Sequence, residues 1–244
     1  RVELVSRVRV LHGAPDAERE NLLDVIGAER LPGADDAAQL ADLQEFDPEL
    51  VVVSPGYRPD HPLVQWAEGR GVTVWGDIQL GWRLRDKTAR VADWICITGT
   101  NGKTTTTQLT AHMLKAGGLR VAPVGNIGVP ILDALRDPQG YDVLVVELSS
   151  FQLHRIGEIS PYASVCLNVA DDHLDWHGSA RRYRTAKARV YEHTQVACVY
   201  NRADDATLQM VEEADVVEGA RAISFGLDTP GPSGVGIVDG LLID

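Results

Sequence analysis

The stretch Trp94-Ile95-Cys96-Ile97-Thr98-Gly99-Thr100-Asn101-Gly102-Lys103-Thr104-Thr105 decides the fold class. An apolar run enters a Gly-rich turn and leaves it as helix-forming sequence. In that strand–loop–helix context backbone N–H groups curl around a phosphate, a lysine meets the outer phosphates, and a threonine hydroxyl meets Mg²⁺. The long form of the pattern asks for another glycine five positions before Gly102, where Ile97 stands, so this is the shorter G-x-x-G-K-[ST] form. Gly99, Thr100, Asn101, Gly102, Lys103, Thr104 and Thr105 are therefore predicted to bind the phosphates of ATP. The competing reading, a Gly-rich turn with a solvated lysine, fits the flanking strand and helix poorly.

Outward from this loop, short β-branched runs alternate with helix-like stretches, the pattern of an α/β protein with a mainly parallel sheet. The predicted strands are Leu50–Val53, Val72–Val74, Trp94–Thr98, Val143–Glu147, Ser164–Asn168 and Ala197–Tyr200. The predicted helices are Asp36–Gln44, His61–Gly69, Lys103–Ala116, Ala180–Glu192 and Asp204–Ala214. Gly117-Gly118 supplies a stop for the helix after the phosphate loop. The polar stretch Arg83–Asp93 reads as a domain boundary, and Gly236–Asp244 reads as a hairpin.

Three further positions carry chemistry. Glu147 closes an apolar strand, and an acid at the C-terminal end of a parallel strand points into the ligand crevice, where it can hold Mg²⁺. His173 sits among carboxylates in Ala170-Asp171-Asp172-His173-Leu174-Asp175; it is a candidate metal ligand or base, set against an ordinary loop histidine. His154 and His177 take that ordinary reading. Lys187 has Tyr183 four residues before it and Val190 and Tyr191 three and four after, which places an ammonium on an apolar stripe. A lysine whose stem covers the core while its charge reaches water is the alternative.

Composition narrows the partners. A formal charge of −12 over 244 residues argues against a nucleic-acid or anionic-membrane surface. Anion binding by a loop and a helix N-terminus remains open. No apolar run approaches the ~18 residues of a membrane span and no leader pattern is visible, so a cytoplasmic monomer is expected. Cys96, Cys166 and Cys198 sit in apolar runs like buried strand cysteines rather than metal or disulfide sites.

Taken in order, GTNGKTTT, GNIG (Gly125–Gly128), ELSSFQL (Glu147–Leu153), DHLDWHG (Asp172–Gly178) and YRTAKARVYE (Tyr183–Glu192) resemble the Mur ligases of bacterial peptidoglycan synthesis. ELSSFQL, VVVSPG (Val51–Gly56) and VWGDIQL (Val74–Leu80) are most similar to the D-glutamate-adding branch. The resemblance implies a Rossmann-like UDP-binding domain over residues 1–92 and a P-loop-type mononucleotide-binding central domain over residues 93–244. It implies an ATP-dependent ligase that phosphorylates the carboxylate of UDP-N-acetylmuramoyl-L-alanine and transfers the acyl group to D-glutamate. Lys103, Glu147, His173 and Lys187 would then be catalytic. Thr104 and Glu147 would hold one Mg²⁺, and His173 and a carbamylated Lys187 a second. Gly56, Asn126, Ser149, Gln152 and His173 would line the substrate.

The family's first strand and Gly-rich turn are expected before Arg1, and a G-x-H-N segment and an amino-acid-binding C-terminal domain after Asp244. Two other readings stay open at this point: a diamino-acid-adding Mur ligase, whose motif is close to Asp172–Gly178, and a nucleotide-binding fragment without turnover.

Overall fold

The computed structural model describes residues 8–11, 17–30 and 35–244. By contacts the chain forms two compact units, residues 1–51 with 57–74 and residues 52–56 with 75–244.

The N-terminal stretch runs β1 (Arg9–Val10), α1 (Ala17–Val25), β2 (Glu29–Arg30), α2 (Asp36–Phe46), β3 (Leu50–Val53), α3 (Pro62–Gly69) and β4 (Thr73–Gly76). β1 and β2 pair in parallel, and β3 pairs with β4. Capping sets the helix limits. The Asp35 carboxylate accepts from Ala38 N at the start of α2, which ends where Asp47 turns left-handed. His61 Nδ1 accepts from Leu63 N ahead of α3, with Pro62 in the first turn where its missing N–H costs nothing.

The second unit continues with α4 (Asp77–Leu84), a 3-10 turn at Arg85–Lys87, β5 (Asp93–Thr98), α5 (Lys103–Ala116), β6 (Val121–Gly125), α6 (Ile131–Leu135) and β7 (Val143–Glu147). Then come α7 (Ser150–His154), β8 (Ala163–Cys166), α8 (Leu174–His177), α9 (Ala180–Ala188), a 3-10 turn at Arg189–Tyr191, β9 (Ala197–Asn201), α10 (Asp205–Glu212), β10 (Arg221–Phe225), β11 (Gly234–Val238) and β12 (Leu241–Ile243). One eight-stranded sheet orders these as β12-β11-β10-β9-β8-β5-β7-β6. It is parallel except for the terminal β11–β12 hairpin.

β7 shows why the sheet is covered on both faces. All five of its residues are buried. Leu144 and Val146 join Trp94, Cys96 and Leu153 in one apolar cluster. Val143 and Val145 join Ile97, Ala111 and Val121 in another. A side-chain period of two with both sets buried is the signature of an inner parallel strand. Cys96, Cys166 and Cys198 are free, buried thiols on β5, β8 and β9.

Several limits differ from the sequence expectations. The boundary expected in Arg83–Asp93 falls earlier by contacts, at Val74/Trp75, because Ile78 and Trp82 of α4 belong to the same apolar cluster as Trp94 and Ile131. The strand expected to reach Asn168 stops at Cys166, since the next residues turn toward the loop after β5. The helix expected through Glu192 tightens into a 3-10 turn after Ala188. β6 and β10 were not anticipated; β6 carries Pro123, which an edge strand tolerates.

Candidate active site at the strand ends

The chain passes from β5 to β6 and β7 on one side of β5, then to β8 and beyond on the other. That reversal puts a crevice at the C-terminal ends of β5, β7 and β8, where open parallel sheets bind ligands. Register aligns the walls of the crevice: Ile97 lies opposite Glu147, Gly125 opposite Glu147, and Thr98 opposite Cys166.

The Gly99–Thr105 loop fills the end of β5. Gly102 has φ 83° and precedes α5 with no side-chain cap, so the first-turn N–H groups are left to an anion. A polar clamp from the β8 end shapes the loop. Asn168 Oδ1 accepts from Asn101 N at 2.9 Å, its Nδ2 donates to Asn101 O at 3.0 Å, and its backbone O accepts from Thr100 N at 2.9 Å. Thr100 Oγ1 accepts from Ala170 N and lies 2.9 Å from Tyr183 Oη. Lys103 Nζ donates to Gly99 O at 2.9 Å and Thr100 O at 3.0 Å, while Thr104 and Thr105 are exposed on the first turn of α5.

Glu147 is 1% exposed. Its Oε1 accepts from Asn126 Nδ2 at 2.9 Å, and its backbone O accepts from Asn126 N at 2.9 Å. That approach needs Gly125, whose φ is +101° and whose added Cβ would sit 2.4 Å from Glu147 O. Glu147 Oε2 is buried with no hydrogen-bond partner. An ionised carboxylate oxygen so placed costs free energy unless a cation or donor meets it.

Lys187 is also 1% exposed. From α9 its Nζ donates to Gly99 O at 2.8 Å, contacts Thr98 Oγ1 at 3.4 Å and lies 5.0 Å from the Tyr183 ring centroid. The ammonium is therefore turned into the strand end rather than out to water, unlike a surface lysine covering the core. Burial lowers its pKa to about 8.

Other expected residues fall nearby with different surroundings. Ser149 and Gln152 form a capping box at the start of α7: Gln152 N donates to Ser149 Oγ, and Gln152 Oε1 accepts from Ser149 N at 3.0 Å. Gln152 is buried, and its Nε2 donates to Asp77 Oδ2 at 3.0 Å. His173 is left-handed (φ 49°) ahead of α8, with Nε2 3.4 Å from Asp172 Oδ2 and its ring against Phe151. Gly56 O accepts from Trp176 Nε1 at 3.4 Å.

The ordinary loop reading of His177 is corrected. Its ring is buried, its Nε2 lies 3.0 Å from Ser150 Oγ, and burial lowers its pKa to about 4. Sequence reading missed Asn168 and Asp77. A polar residue just beyond a strand end, the signal used for Glu147, also marks Asn168.

Comparison with known proteins bears on this arrangement directly. The family model described as "Mur ligase middle domain" matches residues 97–233. The chain belongs to the Mur ligase family. It is 67% identical, over 99% of its length, to a protein of Leifsonia xyli subsp. xyli named UDP-N-acetylmuramoylalanine–D-glutamate ligase, of which it covers 49%. It is 56% identical, over 80% of its length, to a protein of that name from Streptomyces coelicolor, of which it covers 42%. The Mur ligase chain thus spans about half the length, or less, of these relatives. A solved UDP-N-acetylmuramate:L-alanyl-gamma-D-glutamyl-meso-diaminopimelate ligase from Neisseria meningitides shares the fold, with TM-score 0.55 and 17% identity over 96% of this chain and 77% of its own.

Among the described residues no three His, Cys, Asp or Glu side chains cluster to hold an ion alone. Glu147 Oε2 and the Thr104 hydroxyl are oxygen donors of the kind Mg²⁺ takes, and they would leave its other positions to phosphate oxygens and water.

Proposed function

We propose that this chain is the UDP- and ATP-binding portion of a UDP-N-acetylmuramoyl-L-alanine:D-glutamate ligase. The observation that carries the proposal is the meeting, at one sheet end, of the phosphate loop, the free oxygen of Glu147 and the buried Lys187. The names of the relatives at 67% and 56% identity support the same reading.

The reaction joins a carboxylate to an amine: the muramoyl-alanine carboxylate takes the terminal phosphoryl group of ATP, ADP leaves, and the D-glutamate amine displaces phosphate from the acyl carbon. Positioning and charge neutralisation supply the catalysis. The Gly99–Thr105 loop holds the phosphates through the N–H groups at its α5 end, from Gly102 to Thr105, while Asn168 engages Thr100 N and Asn101 N to shape it, and Lys103 exchanges its loop carbonyls for phosphate oxygens. Thr104 and Glu147 would hold the cation, and Asn126 keeps Glu147 Oε1 occupied, which leaves Oε2 as the oxygen free to take it. Mg²⁺, when bound there, neutralises charge developing on the phosphoryl oxygens.

Lys187 is proposed to act as a carbamate. Burial lowers its pKa to about 8, so a share of the neutral amine exists near pH 7 to add CO₂ and release a proton. The anionic product serves a second Mg²⁺ together with His173, in place of a costly buried ammonium. Gly56, Asn126, Ser149 and His173 face UDP-muramoyl-alanine in this reading, Gln152 serves that side from behind Ser149, and the N-terminal unit takes the UDP end while the phosphate loop of the second unit takes ATP. The whole protein is placed in the cytoplasm, where its nucleotide substrates are.

The test is ADP release by the full-length protein with UDP-N-acetylmuramoyl-L-alanine. Release that depends on D-glutamate supports the assignment. Dependence on meso-diaminopimelate or L-lysine instead overturns it.

A further inference from the structure

The carboxamide of Gln152 has only one workable orientation. Ser149 N–H can only donate, so the group facing it must be the amide oxygen, and Oε1 accepts from Ser149 N at 3.0 Å and Ser149 Oγ at 3.2 Å. The amide nitrogen therefore points the other way, and what it meets must accept. That acceptor is Asp77 Oδ2, 3.0 Å away in the first turn of α4 and 75 residues distant in sequence. Gln152 is 5% exposed and spends its carboxamide on these two residues. Asp77 Oδ1 is buried with no hydrogen-bond partner, and besides the helix-start N–H groups of Asp77 and Ile78 the Gln152 amide is the side-chain donor that meets this carboxylate out of water. α4 does not need that contact to dock, since Ile78 and Trp82 already pack among Trp94 and Ile131.

We propose that Asp77 is a positioning residue for the substrate side of the site: it locks the Gln152 carboxamide, and through it Ser149 and the turn that follows Glu147. The inference rests on the ligase reading above for what the turn faces, but not for the contact itself. The chain of causes is short. Ser149 follows Glu147 by two residues, Leu148 N is tied to Ile97 O, and Leu148 O accepts from Thr98 Oγ1 at 2.8 Å. The backbone before Ser149 is thus pinned to β5, and the capping box pins the backbone after it. Without Asp77 the amide nitrogen loses its buried acceptor, Oε1 is held from the Ser149 side alone, and the Ser149 hydroxyl is less firmly aimed.

Exchanging the polarity of the pair tests this in the full-length protein. Gln152→Glu keeps an oxygen on Ser149 but faces Asp77 with a second carboxylate. The KM for UDP-muramoyl-alanine is expected to rise about tenfold or more while the KM for ATP changes less than about twofold. In Asp77→Asn/Gln152→Glu the new carboxamide donates to the new carboxylate, and the KM should return to within about threefold of wild type. Asp77→Asn alone keeps an acceptor oxygen for Gln152 and should stay within about threefold.

A double variant as impaired as Gln152→Glu overturns the proposal. So does a loss of stability with no difference between the two KM values, which is the mark of a merely structural contact. If the wild-type protein shows no D-glutamate-dependent ADP release, the ligase reading fails, and the pair is read from urea unfolding of the same four proteins. A coupling of about fivefold or more in the unfolding constant then upholds the contact, and independent effects refute it.

Discussion

Replacing Lys187 with methionine should make the protein more stable at neutral pH, although it removes two hydrogen bonds. The buried ammonium carries a desolvation cost that lowers its pKa from 10.5 to about 8. At 1.36 kcal/mol per unit, that depression corresponds to about 3 kcal/mol. The losses are smaller, because both partners keep another bond. Gly99 O still accepts from Lys103 Nζ, and Thr98 Oγ1 still donates to Leu148 O. Methionine matches the lysine stem in length and packs against the Tyr183 ring.

A net gain of about 1–3 kcal/mol near pH 7 follows. The sign of the pH dependence follows from the same shift. The folded pKa lies below the unfolded one, so between about pH 8 and 10.5 the unfolded chain binds more protons and wild-type stability rises with pH. Methionine has no such dependence, so its advantage should shrink by about 2 kcal/mol between pH 7 and pH 9.5. Urea unfolding of both proteins in CO₂-free buffer measures this. A variant less stable than wild type at pH 7, or an advantage that grows with pH, refutes the reasoning.

Two further outcomes are expected. Tyr191→Phe should cost about 1–3 kcal/mol, because the buried hydroxyl donates to Val199 O at 2.7 Å and accepts from Cys166 N at 3.1 Å, so its loss removes two hydrogen bonds to the sheet backbone; a change below about 0.5 kcal/mol in urea unfolding counts against it. The His177 imidazole should stay neutral down to about pH 4, and stability should fall as pH drops from the ordinary histidine range toward that value, since the unfolded ring gains its proton first; imidazole NMR titration with His177→Gln as the control decides, and a midpoint near 6.5 would refute burial as the cause.

The sheet interior was legible because its strands advertise themselves. Val143–Glu147 is an unbroken apolar run closed by an acid, and the segment from Trp94 through the loop to α5 is strand, turn and helix in one glance. The short elements were not. α7 and α8 have five and four residues, too few to show a helical period; a capping box at Ser149 starts α7, and Gly178 at φ 77° stops α8. The site was legible as residue types and order, but not as partnerships. Asn168 clamps Asn101 from 67 positions away, and Asp77 meets Gln152 across 75. No local pattern encodes such pairs; they exist only once the strands have set their order. Burial misled the reading of His177 for a related reason, since the aromatic rings of Phe151, Trp176 and Tyr183 that surround it come from three separate helices.

The three thiols on neighbouring strands β5, β8 and β9 give the sheet a built-in clock. Burial pushes the pKa of each above its ordinary value, so neither thiolate nor access exists while the sheet is closed. An alkylating reagent can register only molecules in which those strands have parted. The rate at which mass is gained then times the opening of the floor beneath the phosphate loop, separately from fraying at the β12 edge, and a ligand that braces the strand ends should slow it.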